Sequence, residues 1–209
     1  MIKGEQIYLR PIIKEDITFL NRWKNEEEVY KYLGGGFMPT SIDQQEKWMD
    51  SIIDTSGNNK RFIICEQEGK PIGMIGLYNI NWIHRTSEIG VYIGEKDVRG
   101  RGYGKEACML IEKFAKNYLN LRKIKLSVVL ENEIALNMWK SLGYKKVGEY
   151  IEERFIKGEY KNLIIMEKFI NNLNCKILGG GYPTSFISFF ISNILISKWG
   201  GIRCEYSPS

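Results

Sequence analysis

The sequence predicts an α+β fold in which one mixed, largely antiparallel sheet of about seven strands is flanked by about four helices. Two patterns lead to this prediction. Short stretches of alternating apolar and polar residues indicate strands, and longer stretches with apolar residues at i, i+3 and i+4 indicate helices. Along the chain these stretches follow the order β-α-α-β-β-β-α-β-α-β-β. The 209 residues, of which 44% are hydrophobic and 12% aromatic, suffice for one globular domain with its own core.

The first half of the chain predicts four strands and two helices. Residues 6–10 alternate in polarity and stop at Pro11, which cannot donate a hydrogen bond to a neighbouring strand. Helical spacing covers residues 14–32, and a second helix begins at a Thr40 or Ser41 cap and ends near residue 53. Further strands are predicted at 61–67, 72–81 and 87–93. The turn at 68–70 joins the first two of these as a hairpin.

The second half begins with a helix whose apolar residues, from Ala107 to Tyr118, share one face. A strand follows at 123–130, where isoleucine, leucine and valine alternate with lysine and serine. Asn132 is placed to cap a further helix, which Gly143 ends. The last two strands are predicted at 145–155 and 160–169, on either side of a glycine turn.

A glycine-rich loop, residues 99–105, lies between the fourth predicted strand and the third predicted helix. Its residues are Arg99, Gly100, Arg101, Gly102, Tyr103, Gly104 and Lys105. The first N–H groups of a helix have no partner inside the helix, and the helix dipole adds positive charge there. Glycine lets an anion approach this backbone closely, and the arginines add full charges, so the loop is predicted to bind phosphate.

Two common phosphate motifs do not fit this loop. A Walker A loop would need glycine in place of Arg99 and a hydroxyl residue in place of Glu106. The dinucleotide fingerprint would need a third glycine in place of Lys105. What remains is the pattern Arg-x-x-Gly-x-Gly at 99–104, which is weakly specific by itself because a glycine turn with solvated arginines has the same letters.

This pattern resembles motif A of the GCN5-related N-acetyltransferase (GNAT) family, and the order of elements around it is similar as well. Other segments look like those of spermidine/spermine N-acetyltransferases and of ribosomal-protein or amino-sugar N-acetyltransferases. They are Asn81-Trp82-Ile83-His84-Arg85 with Ser87-Glu88, Leu119-Asn120-Leu121-Arg122-Lys123, Glu131-Asn132-Glu133 with Ala135, Leu142-Gly143-Tyr144, and Lys157-Gly158-Glu159-Tyr160-Lys161-Asn162. The resemblance covers about residues 5–169 and implies the acyl-CoA N-acyltransferase fold of the family.

The resemblance also implies acetyl-CoA as acyl donor and assigns residues to it. Backbone amides and side chains of the glycine loop would hold the pyrophosphate, and the strand residues Val91, Tyr92 and Ile93 would pair with the pantetheine arm. Asn132 would contact the same arm, although a pure helix-capping role explains it equally well. For the three strand residues a core role is the simpler alternative, and the two roles are compatible.

Acetyl transfer to an amine needs a base for the amine and a proton for the leaving thiolate. Glu88 is the candidate base, and its alternatives are a carboxylate that only binds a cationic acceptor or a structural ion pair. The family commonly has a tyrosine seven residues after the asparagine, as proton donor, but here the position is Trp139, and indole does not titrate. Either the thiolate leaves with help from water or from another hydroxyl, or Trp139 only packs on the cofactor. The candidates are Tyr92, Tyr103 and Tyr144.

The acceptor stays open between a polyamine, an amino sugar and a protein N-terminus. Acidic residues suited to a polyamine cleft, or simply to a solvated surface, are Glu26, Glu27, Glu28, Asp43, Glu88, Glu152 and Glu153. A protein of a different class, a non-catalytic acyl-CoA-binding protein on the same fold, is the alternative to the enzyme. Trp139 is the residue that keeps this alternative open.

Composition excludes other classes of function. The net charge of +5 comes from 30 basic and 25 acidic residues in mixture, which argues against nucleic-acid binding. We expect no signal peptide and no membrane span, and the four scattered cysteines and single histidine predict no metal site. A cytoplasmic protein is expected. We predict an acetyltransferase domain at 1–170 and a C-terminal extension of unknown role at 171–209. The apolar stretch of this extension is suited either to adding a strand or helix to the domain or to burial at the contact of a homodimer or higher homo-oligomer.

Overall fold

The computed structural model describes residues 1–53 and 56–170, and it confirms the predicted α+β architecture around one mixed sheet. The strands of this sheet are β1 (Ile2–Lys3), β2 (Ile7–Pro11), β3 (Lys60–Glu66), β4 (Pro71–Asn81), β5 (Thr86–Ile93), β6 (Lys123–Val129), β7 (Lys145–Ile156) and β8 (Glu159–Phe169). Their order across the sheet is β1-β2-β3-β4-β5-β6-β8-β7. Neighbours run antiparallel except β5 and β6, which are parallel. The predicted C-terminal extension lies outside the described residues.

In the described part of the chain, five α-helices cover the sheet: α1 (Ile17–Lys24), α2 (Glu27–Tyr30), α3 (Ile42–Ile53), α4 (Tyr103–Asn117) and α5 (Glu133–Ser141). The single helix predicted at 14–32 is instead divided into a 3₁₀ turn, α1 and α2. The division falls at Asn25, whose side-chain amide accepts a hydrogen bond from Thr40 N–H at 2.8 Å and donates one to Thr40 C=O at 2.9 Å. These contacts join two distant segments, so local spacing could not reveal the break.

Each face of the sheet has its own apolar core, and the side chains of β5 alternate between them. Ile89 belongs to the core under α4 and α5, and Val91 and Ile93 pack against that core. Tyr92 packs against the other core, which the helices α1 to α3 cover. Because side chains alternate along a strand, Glu88 and Gly90 share the α1–α3 face with Tyr92.

Trp23 of α1 fixes the position at which β5 ends. Its side chain is fully buried, and its indole N–H donates to Glu95 Oε1 at 2.9 Å. The ring lies so close to Gly94 that a Cβ added there would be 2.2 Å from its nearest atom. Glycine at 94 therefore lets the helix and the strand end meet immediately before the glycine loop.

We expect Gly94→Ala to lower the free energy of unfolding by about 1–3 kcal/mol, because the added methyl group overpacks a site that the buried Trp23 ring already fills. The measurement is urea unfolding. Gly148→Ala is the matched control, since a Cβ at Gly148 meets no atom closer than 4.0 Å. Equal stability of the two variants would contradict the close contact between Trp23 and Gly94.

Candidate functional site

The sheet opens between its two parallel strands. β5 and β6 pair only where Thr86 to Glu88 face Lys123 to Lys125. Beyond that point β6 stays paired with β8 and β5 stays paired with β4, as far as Ile93. We call this divergence the split. Among the described residues, no strand pairs with the β6-facing edge of residues 89–93, and such an edge offers N–H and C=O groups to an extended ligand.

A cavity of about 540 Å³ lies at the split, which is within the usual size range of ligand pockets. We call it the split cavity. Both strands contribute to its wall, together with the segment after α2, strands β3 and β4, and α5. The lining of the cavity includes Tyr30, Arg61, Tyr78, Glu88, Gly90, Val91, Tyr92, Asn132 and Trp139. Of the predicted cofactor residues, the cavity thus brings together Val91, Tyr92, Asn132 and Trp139.

The glycine loop is open to an incoming anion. Gly100 and Gly102 have φ angles of +80° and +88°, which glycine adopts readily, and a Cβ at either position would meet no atom within 4 Å. Gly102 caps α4, and its carbonyl accepts the first helical hydrogen bond, from Glu106 N–H at 3.0 Å. The preceding N–H groups of the helix are therefore left for an external acceptor, which fits the predicted phosphate site.

This loop lies beside the split. The Arg99 guanidinium donates from Nε to the carbonyl of Ile93 at 3.2 Å, so it holds the end of β5. A Cβ on Gly104 would be 3.8 Å from Ile93 and 3.7 Å from Met138 of α5, which places Gly104 between the strand end and that helix. The predicted diphosphate site and the free strand edge are thus neighbours, as one long ligand requires.

The cations of the loop differ in their contacts. Arg99 is engaged with backbone carbonyls of its own chain. Arg101 and Lys105 are exposed, and among the described residues no carboxylate lies within 4 Å of either. Tyr103 packs against the core under α4 and does not line the split cavity. Arg101 and Lys105 are therefore the side chains best suited to an anion.

Asn132 and Trp139 of the predicted set lie on opposite ends of one helix. The Asn132 side chain accepts a hydrogen bond from Ala135 N–H at 3.3 Å, so the predicted cap is confirmed, and the residue lines the cavity as well. Trp139 is 5% exposed and packs edge-on against Tyr144, with ring centroids 5.0 Å apart. Its ring closes one wall of the split cavity.

Glu88 stands where the split begins. Its side chain is exposed and lines the cavity. Within residues 1–53 and 56–170, no lysine, arginine or histidine nitrogen lies within 4 Å of its carboxylate. The structural ion pair considered for Glu88 is therefore absent from this part of the chain, and an unpaired carboxylate faces the cavity.

The three candidate hydroxyls are not equivalent. Tyr144 lies behind Trp139, where burial, and then the nearby Glu112, raises its pKa, and it does not line the cavity. Tyr92 does line it, with its hydroxyl buried beside Tyr30 and making no hydrogen bond of standard geometry to any described residue. Burial raises the pKa of Tyr92 well above its usual range, and Tyr30 raises it further, so the hydroxyl keeps its proton.

Most of the predicted acidic cleft lies elsewhere. Glu26, Glu27 and Glu28 each pair with a lysine at 2.8–2.9 Å, namely Lys96, Lys157 and Lys31. Neither these three residues nor the other acidic candidates, Asp43, Glu152 and Glu153, line the split cavity. Only Glu88 of the proposed set reaches it.

The sequence interpretation missed the opposite wall, which is formed by Tyr78 and Arg61. The ring of Tyr78 lies against Gly76 and Gly90, which are cross-strand partners of each other, and Cβ atoms added there would be 2.7 and 3.2 Å from it. The Arg61 guanidinium lies 5.1 Å from the centroid of that ring. Glycines inside two apolar strands were the available signal, since glycine weakens a strand unless another group approaches closely.

Two further properties concern the described residues only. None of the helices in this part of the chain is long and apolar enough to cross a membrane. The same residues contain no group of three or more histidine, cysteine, aspartate or glutamate side chains placed to hold a metal ion.

Comparison with known proteins agrees with the family resemblance seen in the sequence. The family model for the acetyltransferase (GNAT) domain matches residues 6–145. A spermidine N(1)-acetyltransferase of Escherichia coli K12 is 30% identical, over 79% of this chain and 87% of the relative. A putative ribosomal N-acetyltransferase of Bacillus subtilis is 23% identical, over 68% of this chain and 78% of the relative.

Solved structures agree with the sequence comparisons. The crystal structure of spermidine N-acetyltransferase from Vibrio cholerae in complex with CoA and spermine superposes with a TM-score of 0.74. Its sequence is 26% identical, and the match covers 79% of this chain and 96% of that chain. The acyl-CoA N-acyltransferase fold that the motifs implied is thereby confirmed.

Proposed function

Because the chain belongs to the GNAT family and is therefore an acetyl-CoA-dependent N-acetyltransferase, we propose that it acetylates the primary amine of a small molecule held in the split cavity. The observation that carries this proposal is the free edge of β5 beside an open glycine loop. The comparisons favour this enzyme over a non-catalytic acyl-CoA-binding protein. Acetyl-CoA, when bound, supplies an acetyl thioester.

The donor would lie along the free strand edge. We propose that backbone N–H groups of residues 100–105 bind its diphosphate, with Arg101 and Lys105 adding charge and Arg99 holding the strand end. The edge formed by Val91, Tyr92 and Ile93 would hydrogen-bond the pantetheine arm. Asn132 and Trp139 would line the other side of that arm.

Glu88 is the proposed general base. Only the unprotonated amine has a lone pair to attack with, and the Glu88 carboxylate is the one carboxylate among the described lining residues. Being unpaired, it attracts the incoming ammonium group, and it accepts the proton directly or through water. A positioned base of this kind contributes roughly 10²–10⁴-fold to a rate.

Tyr92 is the proposed proton donor for the departing thiolate, with cavity water as the alternative. Trp139 cannot take this role because its indole does not titrate. Of the three candidate tyrosines, only Tyr92 lines the split cavity, and its buried hydroxyl keeps its proton. The proposed proton donor thus lies on the same strand as Glu88, two two-residue repeats further along β5.

Polyamines are the first acceptors to test, because the similar enzymes of Escherichia coli and Vibrio cholerae act on spermidine. Glu88 would meet an ammonium group of such an acceptor. We also expect a reducing, cytoplasmic location, which agrees with the free and buried Cys65 and Cys108. A homodimer or higher homo-oligomer stays a prediction, because the segment that suggested it lies outside the described residues.

We expect Glu88→Gln to lower kcat about 100-fold at neutral pH, because the amide cannot accept the proton. The difference in kcat between Glu88→Gln and the unmodified enzyme should shrink as pH rises toward about 10, because free amine becomes abundant there without a base. The measurement is the pH dependence of CoA release with spermidine. Glu68→Gln, in the exposed β3–β4 turn, is the control. A pH profile identical to that of the unmodified enzyme would exclude Glu88 as base.

We expect Tyr92→Phe to lower kcat at least about tenfold while the KM for acetyl-CoA changes little, because a donor to the thiolate is lost. Stability should be nearly unchanged, since the removed hydroxyl makes no well-formed hydrogen bond. Tyr144→Phe is the matched control, whose hydroxyl lies outside the cavity. The measurement is steady-state kinetics. If kcat of both variants stays within about threefold of that of the unmodified enzyme, the proton donor is water and not Tyr92.

A further inference from the structure

Among its described wall residues, the split cavity has one positively charged and one negatively charged side chain. Among its described lining residues, Arg61 and Glu88 are the charged side chains. Arg61 comes from β3 and is partly buried, whereas Glu88 comes from β5 and is exposed. A pocket built only to attract a polycation would not place a guanidinium in its wall, because like charges repel inside a cavity of low dielectric.

Strand register fixes where these charges lie relative to each other. Arg61 faces Gly76, and Gly76 faces Gly90, so the three residues form one row across β3, β4 and β5. Glu88 is two residues along β5 from Gly90, on the same face. From strand spacing and rise, the Cα atoms of Arg61 and Glu88 are roughly 12 Å apart. One small acceptor with a charged group at each end can therefore reach both side chains.

Tyr78 joins the two charges across this face. It is the cross-strand partner of Glu88, and its ring lies over Gly76 and Gly90, whose lack of side chains makes room for it. The Arg61 guanidinium is 5.1 Å from the centroid of this ring. The aromatic ring thus forms an apolar floor between the cationic and anionic ends of the pocket, suited to the carbon chain of an acceptor.

Arg61 has aromatic neighbours and, among the described residues, no anionic one. Its guanidinium lies over the rings of Tyr78 and Trp48, at 5.1 and 6.0 Å. In the described part of the chain, no carboxylate oxygen comes within 4 Å of it. A partly buried cation without a counterion is costly, and the planar donors of a guanidinium match a carboxylate. The site therefore favours a ligand that brings its own anion.

We propose that Arg61 is an anion subsite of the acceptor pocket, so that the preferred acceptor is a zwitterion: an amine that Glu88 receives, joined by a short carbon chain to a carboxylate that Arg61 binds. This inference rests on the proposed acetyl transfer and narrows its acceptor class. A diamine or polyamine would place a second ammonium group against the guanidinium, which costs binding.

The test compares acceptors matched in length and differing in one end group. CoA release is measured with 4-aminobutanoate against 1,4-diaminobutane, and with 6-aminohexanoate against 1,6-diaminohexane. In the unmodified enzyme, and in the pair whose chain length fits the pocket better, we expect kcat/KM to be at least about tenfold higher for the amino acid than for the diamine. The reason is that a charge-assisted bidentate contact with Arg61 replaces a repulsion. Spermidine is included as the acceptor of the similar enzymes.

Arg61→Gln should reverse this order, by lowering kcat/KM for the amino acid and raising it for the diamine. Arg61→Lys should retain part of the preference, because it keeps the charge and loses the planar fork. An unchanged KM for acetyl-CoA in both variants shows that the pocket is folded. The position of Arg61 predicts effects mainly on the KM for the acceptor.

The outcomes separate the two proposals. If the enzyme acetylates amines but prefers the diamine in both pairs, and Arg61→Gln leaves that ratio unchanged, the anion subsite is wrong and the acetyl transfer stands. If acetyl-CoA binds and no amine of either kind releases CoA, the proposed transfer to a small amine is wrong, and the inference falls with it.

Discussion

The divergence of β5 from β6 is the constraint on which the rest of the site depends. Three residue pairs hold the strands together, up to Glu88 and Lys125, and beyond them each strand is committed to its other neighbour. A sheet interior thereby acquires an edge, with backbone donors and acceptors that water or a ligand must satisfy. The same divergence puts Glu88 at the vertex and makes the volume of the split cavity. The glycine loop follows β5 after one 3₁₀ turn, and Arg99 of the loop bonds to the end of β5, so the strand that provides the edge also positions the anion site.

The two faces of the sheet have different roles. One face buries Ile89 in the core under α4 and α5, which anchors β5 although one of its edges has no strand partner among the described residues. The other face, which packs against the helices α1 to α3, carries Glu88, Tyr78 and Arg61 in the wall of the split cavity. Strand alternation alone therefore separates side chains that stabilise the strand from side chains that meet a substrate. Trp23 of α1 contacts the chain at the end of β5. The same residue therefore supports the acceptor side of the sheet and the strand end that leads to the glycine loop.

Local chemistry explains what the sequence could predict. Alternation and helical spacing located nearly every element, the open glycine loop follows from three glycines before a helix, and Asn132 caps its helix as its side chain suggested. What could not be predicted depends on partners far away in the chain. Asn25 breaks the first helix by binding Thr40. Arg61 enters the site through strand register, which no local pattern encodes. The split itself is invisible in the sequence, because β5 and β6 show the same apolar pattern whether or not they pair.

The most direct measurement is hydrogen–deuterium exchange with and without acetyl-CoA, followed by mass spectrometry of peptides that cover residues 88–94 and 99–105. If the free edge of β5 and the amides of the glycine loop hold the donor, exchange in both segments slows on binding, while peptides from the β7–β8 hairpin keep their rates. Binding of acetyl-CoA that protects other segments and leaves these two unchanged would contradict the account.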